Sequence, residues 1–187
     1  MLVHPLADPL QNAAVAKCAA FSRTSMAPVV GDATARECVL GQAVEPAQVI
    51  ALFDGDTVAG LLGFTIDGRD FTRVRLWDFQ RFYGRSSGVL RYIAYNCIKS
   101  LYYGPDLYIA AFWVDPERRG GGYGQQILTR LRVIATERNM RIWTDVKIGN
   151  AAAFRFYEKH GFQRKKGFLF SSLLPRIKGY ERVFWEG

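Results

Sequence analysis

The chain has 187 residues, 49% apolar and 22% charged, with a net charge of +8. That is enough to bury the core of one domain, and the composition is that of a soluble globular chain. Three scattered cysteines without a Cys-x-x-Cys pair and two distant histidines, His4 and His160, argue against a disulfide framework or a metal site. The absence of a signal-like N-terminus or an ~18-residue apolar run predicts a cytoplasmic protein without a membrane partner.

The first predicted element is an alanine-rich helix from Asp8 to Ser22, with Asp8 and Pro9 at its head. A loop around Pro28 to Asp32 leads to a second helix near Ala33 to Ala43. Val49 to Phe53, the turn Asp54-Gly55-Asp56-Thr57 and Val58 to Ile66 read as a β-hairpin. Residues 69–104 follow as an insertion rich in Arg, Phe and Tyr, partly helical, with Val89 to Leu101 its best helix. The insertion holds seven basic side chains against two acidic ones, which is +5 of the net +8. Leu107 to Val114 is an apolar, aromatic strand. A helix over 123–138, a strand over 140–146 and a helix over 151–160 come next. Two last strands are expected near Phe162 to Ser171 and Gly179 to Trp185. Strand, crossover helix and strand over 107–146 form a βαβ unit, so its two strands are expected to be parallel. The fold class is therefore α/β (α+β): one domain over 1–187 with a mixed, mostly antiparallel sheet of six to seven strands and helices on both faces.

Two stretches carry chemistry. The first reads Val114-Asp115-Pro116-Glu117-Arg118-Arg119-Gly120-Gly121-Gly122-Tyr123-Gly124. Pro116 stops the strand, and four glycines in five positions open a helix whose apolar face is Ile127, Leu131, Ile134 and Ala135. Such a turn points backbone N–H groups and the positive end of the helix dipole at one spot. Glycine removes the Cβ that would keep a ligand away, and Arg118 and Arg119 add formal charge. A phosphate or pyrophosphate is the natural guest. The dinucleotide spacing Gly-x-Gly-x-x-Gly fails, because Gln125 and Ile127 stand where the third glycine belongs, and no Gly-Lys-Ser/Thr exists. The second stretch is Asn150-x-x-Ala153-x-x-Phe156-Tyr157-Glu158-Lys159-x-Gly161-Phe162. Asn150 is a good N-cap, Ala153, Phe156 and Tyr157 share one helix face, and Gly161 suits a left-handed helix end.

Arg119-x-x-Gly122-x-Gly124 resembles the acetyl-CoA loop of the GCN5-related N-acetyltransferase (GNAT) family, and the second stretch resembles that family's next motif at the expected distance. The resemblance covers roughly 107–162. It implies an acyl-CoA N-acyltransferase fold in which the parallel strands splay apart and pantetheine lies in the gap. It implies acetyl-CoA as co-substrate, no metal, and direct transfer of acetyl to an unidentified amine acceptor, a small molecule or a peptide. Arg119, Gly120, Gly121, Gly122, Tyr123, Gly124 and Gln125 would bind the phosphates. The main chain of Phe112, Trp113 and Val114 would meet the pantetheine arm and acetyl group, one N–H polarising the carbonyl. Asn150 would bond the pantetheine amide as well as cap its helix.

A lysine amine is neutral in only about one molecule in 2,500 at pH 7, so a lysine acceptor needs a base. Asp145, on the strand before Asn150 and facing away from Thr144 and Val146, is the candidate. A solvated strand-end aspartate, or an arginine's partner, is the plainer reading of the same residue. Asp106 and Tyr108 are weaker candidates. Tyr157 is the candidate general acid for the leaving thiolate; a core tyrosine is its plainer reading. In the insertion, Arg81 and Arg85 are expected to face an acidic acceptor, and the interleaved Trp77, Phe79, Phe82 and Tyr83 could stack on RNA bases. A solvated basic face is the bland alternative. The rival function is a CoA-binding sensor or RNA-binding module on the same fold. Nucleic acid is disfavoured, and a homodimer stays open.

Overall fold

The computed structural model describes residues 1–3, 9–98, 104–164 and 179–187. His4, Asp8, Lys99, the end of the helix expected at 89–101 and most of the strand expected at 162–171 lie outside the described residues. Among the described residues seven strands form one sheet: β1 (Leu2–Val3), β2 (Val49–Asp54), β3 (Thr57–Thr65), β4 (Leu107–Val114), β5 (Ile142–Lys147), β6 (Gln163–Arg164) and β7 (Tyr180–Trp185). Their order is β1-β2-β3-β4-β5-β7-β6. Every neighbouring pair is antiparallel except β4–β5. The exception follows from the crossover helix α6 (Tyr123–Glu137) that joins those two strands.

The helices sit on both faces. On one face Ile127, Leu131, Ile134 and Ala135 of α6 are buried against Leu62, Phe64, Ile109 and Ile142, with Phe154 and Tyr157 of α7 (Ala151–Lys159) in the same core. The apolar spacing in the α6 sequence is thus the stripe that faces the sheet. On the other face Val15 and Ala19 of α1 (Pro9–Ser22) cover Val49, Ala51 and Leu61. Outside α1 lies a third cluster. It joins α2 (Ala27–Val30) and α3 (Ala33–Leu40) to a helical hairpin, α4 (Leu76–Tyr83) and α5 (Arg85–Ile98), around Phe79 and Tyr95.

This hairpin is the helical part of the insertion, and it differs from expectation at its start. The helix expected from Val89 begins at Arg85 and runs through Gly88. That glycine is a contact residue: a Cβ on it would lie 2.6 Å from Gln80 Cα. The two helices cross where only a glycine fits, and that packing outweighs glycine's poor helix propensity.

The foot of the parallel pair is pinned by Asp106. Its carboxylate accepts from Trp143 Nε1 at 2.9 Å, from Arg141 Nε at 3.1 Å and from the Arg141 backbone N–H at 3.2 Å. Burial alone would raise its pKa, but these donors outweigh burial and hold it below the usual carboxylate range. Its stabilisation is therefore present above pH ~4 and is lost as pH falls through the lowered folded value. Asp106→Asn should cost about 1–3 kcal/mol at pH 7, since an amide NH₂ in place of Oδ2 leaves the buried Trp143 N–H without its acceptor and Arg141 without its charge partner. In thermal melts the gap from wild type should narrow toward pH 3; a gap that stays constant would show that the charge of Asp106 is irrelevant.

Candidate active site

β4 and β5 pair over three rungs only: Leu107↔Ile142, Tyr108↔Trp143 and Ile109↔Thr144. Beyond them β4 continues along β3 and β5 continues along β7. A slot therefore opens through the sheet above Ile109 and Thr144. At the fork the β3–β4 register shifts: Gly63 faces Ala111 while Phe64 faces Ile109, so Ala110 is an extra, bulged residue. Leu107 to Ile109 are buried and Ala110 to Val114 half-exposed, as a strand freed on one side should be.

The direction of the β4 main chain follows from one bond. Asp115 N–H donates to Ala59 O at 3.0 Å. Bonded and non-bonded pairs alternate along an antiparallel ladder. Trp113 therefore turns its main chain toward Leu61, and Phe112 and Val114 turn theirs toward the slot. Arg119 Nε reaches Val114 O at 3.3 Å on that side. The main-chain groups of Phe112 and Val114 thus face the slot, whereas the ladder uses the N–H and C=O of Trp113.

The glycine-rich turn stands at the open end of the slot. Gly120 (φ +84°) and Gly122 (φ +78°) adopt left-handed conformations that disfavour any side chain, and a Cβ on either would meet nothing within 4 Å. Gly122 is the N-cap of α6 and offers no side-chain cap; the first main-chain bond into the helix comes from Gln126 N–H to Gly122 O at 3.1 Å. The N–H groups of Tyr123, Gly124 and Gln125 thus precede the ladder and point out of the helix end. Gly124 packs on Phe156 and Phe112: a Cβ there would lie 3.3 Å and 3.6 Å from their rings, so its absence seats α6 close to α7 and β4. Gly121 stacks beside the Tyr123 ring.

The two arginines beside the loop differ. Arg118 is paired with Asp115 (2.7 Å) and Asp54 (3.1 Å), so it braces the turn. Arg119 meets no carboxylate among the described residues and supplies the loop's uncommitted charge. Asn150 Oδ1 accepts from Ala153 N–H at 3.1 Å and caps α7, leaving its NH₂ group exposed and able to donate.

At the fork two groups flank the slot from opposite faces. On the α6–α7 face the Tyr157 phenol is buried and hydrogen-bonded to the Thr144 side chain, whose hydroxyl in turn donates to Ile109 O at 3.2 Å. Burial pushes the phenol's pKa up, so it keeps its proton throughout the working range. Phe112, Phe156 and Phe162 pack around its ring. On the other face is Asp145, the first β5 residue beyond the last rung. Arg182 grips both its oxygens, at 2.7 Å and 3.0 Å, and the Tyr108 hydroxyl donates to Oδ2 at 3.1 Å. Three of a carboxylate's roughly four acceptor positions are thus filled. The arginine-partner reading of Asp145 is realised, and one acceptor position remains on Oδ1.

Thr144 and Arg182 were invisible from sequence, since nothing marks residues that lie far apart in the chain as meeting across neighbouring strands. Arg81 and Arg85 are not joined to these groups. Both are exposed on the α4–α5 hairpin, Arg81 lying over the Trp77 ring at 5.9 Å. Among the described residues no three His, Cys, Asp or Glu side chains gather where a metal ion could sit.

A family model for the acetyltransferase (GNAT) family matches residues 23–162. The chain belongs to the GNAT family. Solved structures with this fold include an acetyltransferase (14% identity, 100% of this chain and 98% of that chain, TM-score 0.62). Others are an N-acetyltransferase from Staphylococcus aureus Mu50 (17%, 99% and 100%, TM-score 0.59) and a chain of the NatC complex bound to Gag peptide and CoA (16%, 100% and 98%, TM-score 0.56). At these identities the likeness shows the fold alone. A comparison with curated proteins finds no match. The slot, the glycine turn and both motifs lie within the stretch that the GNAT family model covers.

Proposed function

We propose that this GNAT protein is an N-acetyltransferase that moves acetyl from acetyl-CoA directly to an amine. The observation that carries the reading is the fork at Ile109 and Thr144, with a protonated phenol on one face, a held carboxylate on the other and, at the open end, a glycine turn whose helix-start N–H groups precede the ladder. The pyrophosphate would sit on the N–H groups of residues 120–125 with Arg119, and the pantetheine arm would run along Phe112, Val114 and the Asn150 amide. The thioester then lies at the fork, where a slot-facing N–H of β4 polarises its carbonyl.

The acceptor comes from the face that the cofactor leaves open, that of Tyr108 and Asp145. Its nitrogen attacks the carbonyl carbon, the C–S bond breaks, and the proton lost by nitrogen replaces the one that sulfur takes. Tyr157 hydrogen-bonds the departing sulfur. Asp145, fixed by Arg182 and Tyr108, has an acceptor position left for the amine; it orients the nitrogen and is the candidate for drawing off its proton. Among the described residues no Cys or Ser stands at the fork, consistent with direct transfer.

The RNA-binding alternative loses its platform in this fold. Phe79 is buried, and the Tyr83 hydroxyl donates to Val30 O, so the aromatic row does not present its rings together. Thiol release from acetyl-CoA, scored across α-amines, lysine peptides, aminoglycosides and polyamines, tests the proposal. At least one class should release CoA in step with an N-acetyl product; tight acetyl-CoA binding with every class inert would favour a sensor.

Arg182→Met should lower kcat/KM for the acceptor about 10- to 100-fold while leaving acetyl-CoA affinity within about twofold, because it frees Asp145 without touching the cofactor side. An equal loss on both substrates, measured by initial-rate kinetics, would mean that the pair only supports the sheet.

A further inference from the structure

The α4–α5 hairpin is not absorbed by the acetyl-transfer site. Among the described residues seven large apolar side chains are exposed, and four of them are here: Trp77 (50%), Phe82 (44%), Leu90 (70%) and Ile93 (55%). On α5 the exposed positions Ser86, Leu90, Ile93 and Cys97 recur at steps of four, three and four, so they form one stripe. The opposite side holds the buried Gly88 and Tyr95. The exposure is not that of a loose end. Gly88 is pressed onto Gln80, and Phe79 packs its ring on Tyr92 and Tyr95.

The exposed charged side chains of this hairpin have one sign. Arg75, Arg81 and Arg85 are exposed, and their guanidinium groups meet no carboxylate among the described residues. Arg91 is used internally, donating to Val29 O and lying over the Tyr83 ring at 4.4 Å. The hairpin's one acid, Asp78, accepts from the Arg75 backbone N–H at 2.7 Å and caps α4.

We propose that this hairpin seats the protein on an anionic lipid surface. Trp, Phe, Leu and Ile tips on short helices enter the headgroup boundary, and arginines beside them reach phosphate and carboxylate headgroups. The unpaired arginines select a negative occupant. Stacked nucleic-acid bases fit less well: Arg81 lies over the Trp77 ring, Phe82 meets the Tyr83 edge at 4.7 Å, and Leu90 and Ile93 give bases nothing to stack on. No helix among the described residues is long and apolar enough to cross a membrane, and a surface contact requires none. The hairpin packs on α2 and α3, and neither it nor those helices carry a slot residue, so the bound protein keeps its transfer site. The inference stands whether or not that site transfers acetyl.

Vesicle flotation tests it with the whole chain, using phosphatidylcholine alone and phosphatidylcholine with about one-quarter phosphatidylserine. Wild type should float with the anionic vesicles and not with the neutral ones. Leu90→Ser with Ile93→Ser, at exposed positions that should leave the melting temperature and acetyl-CoA affinity unchanged, should cut the partition coefficient about tenfold or more. Each of Arg75→Gln, Arg81→Gln and Arg85→Gln should lower it about fivefold and flatten its salt dependence. Absence of flotation, or flotation indifferent to the serine pair, overturns the proposal. So does a stable dimer that the serine pair converts to monomer, or binding of single-stranded RNA without binding of vesicles. A rise in acceptor KM on neutralising Arg81 and Arg85, with flotation unchanged, also overturns it and assigns the two arginines to the acceptor.

Discussion

Gly122→Asp should abolish acetyl-CoA binding, with calorimetric affinity falling about 100-fold or more. Two effects act together. Gly122 sits at φ +78°, where any side chain is strained. The new carboxylate would stand at the N-terminus of α6, in the space the pyrophosphate needs, and would repel it. Losing several charge-assisted bonds, each worth about 1.5–3 kcal/mol, accounts for the magnitude. Gly122→Ala separates the two effects, since it shares the strain and not the charge. Its loss should be smaller, and both variants should melt below wild type by a similar few degrees, because they share the backbone strain while a Cβ there meets nothing within 4 Å and adds no clash. Unchanged affinity in folded Gly122→Asp would place the anion site elsewhere.

Tyr157→Phe should keep acetyl-CoA affinity within about threefold and lose turnover by about 10²–10⁴, the usual worth of a positioned acid. The ring remains to pack on Phe112, Phe156 and Phe162, so the core is preserved and only the hydroxyl is lost. Burial raises the Tyr157 pKa, so the wild-type rate should show no falling limb from this group up to pH ~10. Turnover reduced by less than threefold would make Tyr157 a core residue with water protonating the thiolate.

The part of this fold that carries the site was largely legible, because it rests on local devices. The α6 stripe of Ile127, Leu131, Ile134 and Ala135 faces the core as its spacing required. Asn150 caps α7, and Gly161 (φ +75°) follows its end. The glycine turn announces itself because few other sequences tolerate two left-handed residues in three. What stayed hidden is what register decides. The bulge at Ala110, the rotation that turns Trp113 away from the slot and the Asp145–Arg182 pair all depend on which residues of different strands come opposite each other. The start of α5 was hidden for a related reason. Gly88 looks like a helix breaker until Gln80 is seen to press on it, and the exposure of Leu90 and Ile93 cannot be told from burial without knowing what α5 packs against.

Amide hydrogen exchange with and without acetyl-CoA tests most directly whether the cofactor lies between the glycine turn and the fork, because it needs no acceptor. Added protection is expected at residues 120–126, at 110–114 and at 150–153, with the α4–α5 hairpin unchanged. Protection confined to the hairpin, or absent from both the glycine turn and the free side of β4, would contradict that placement.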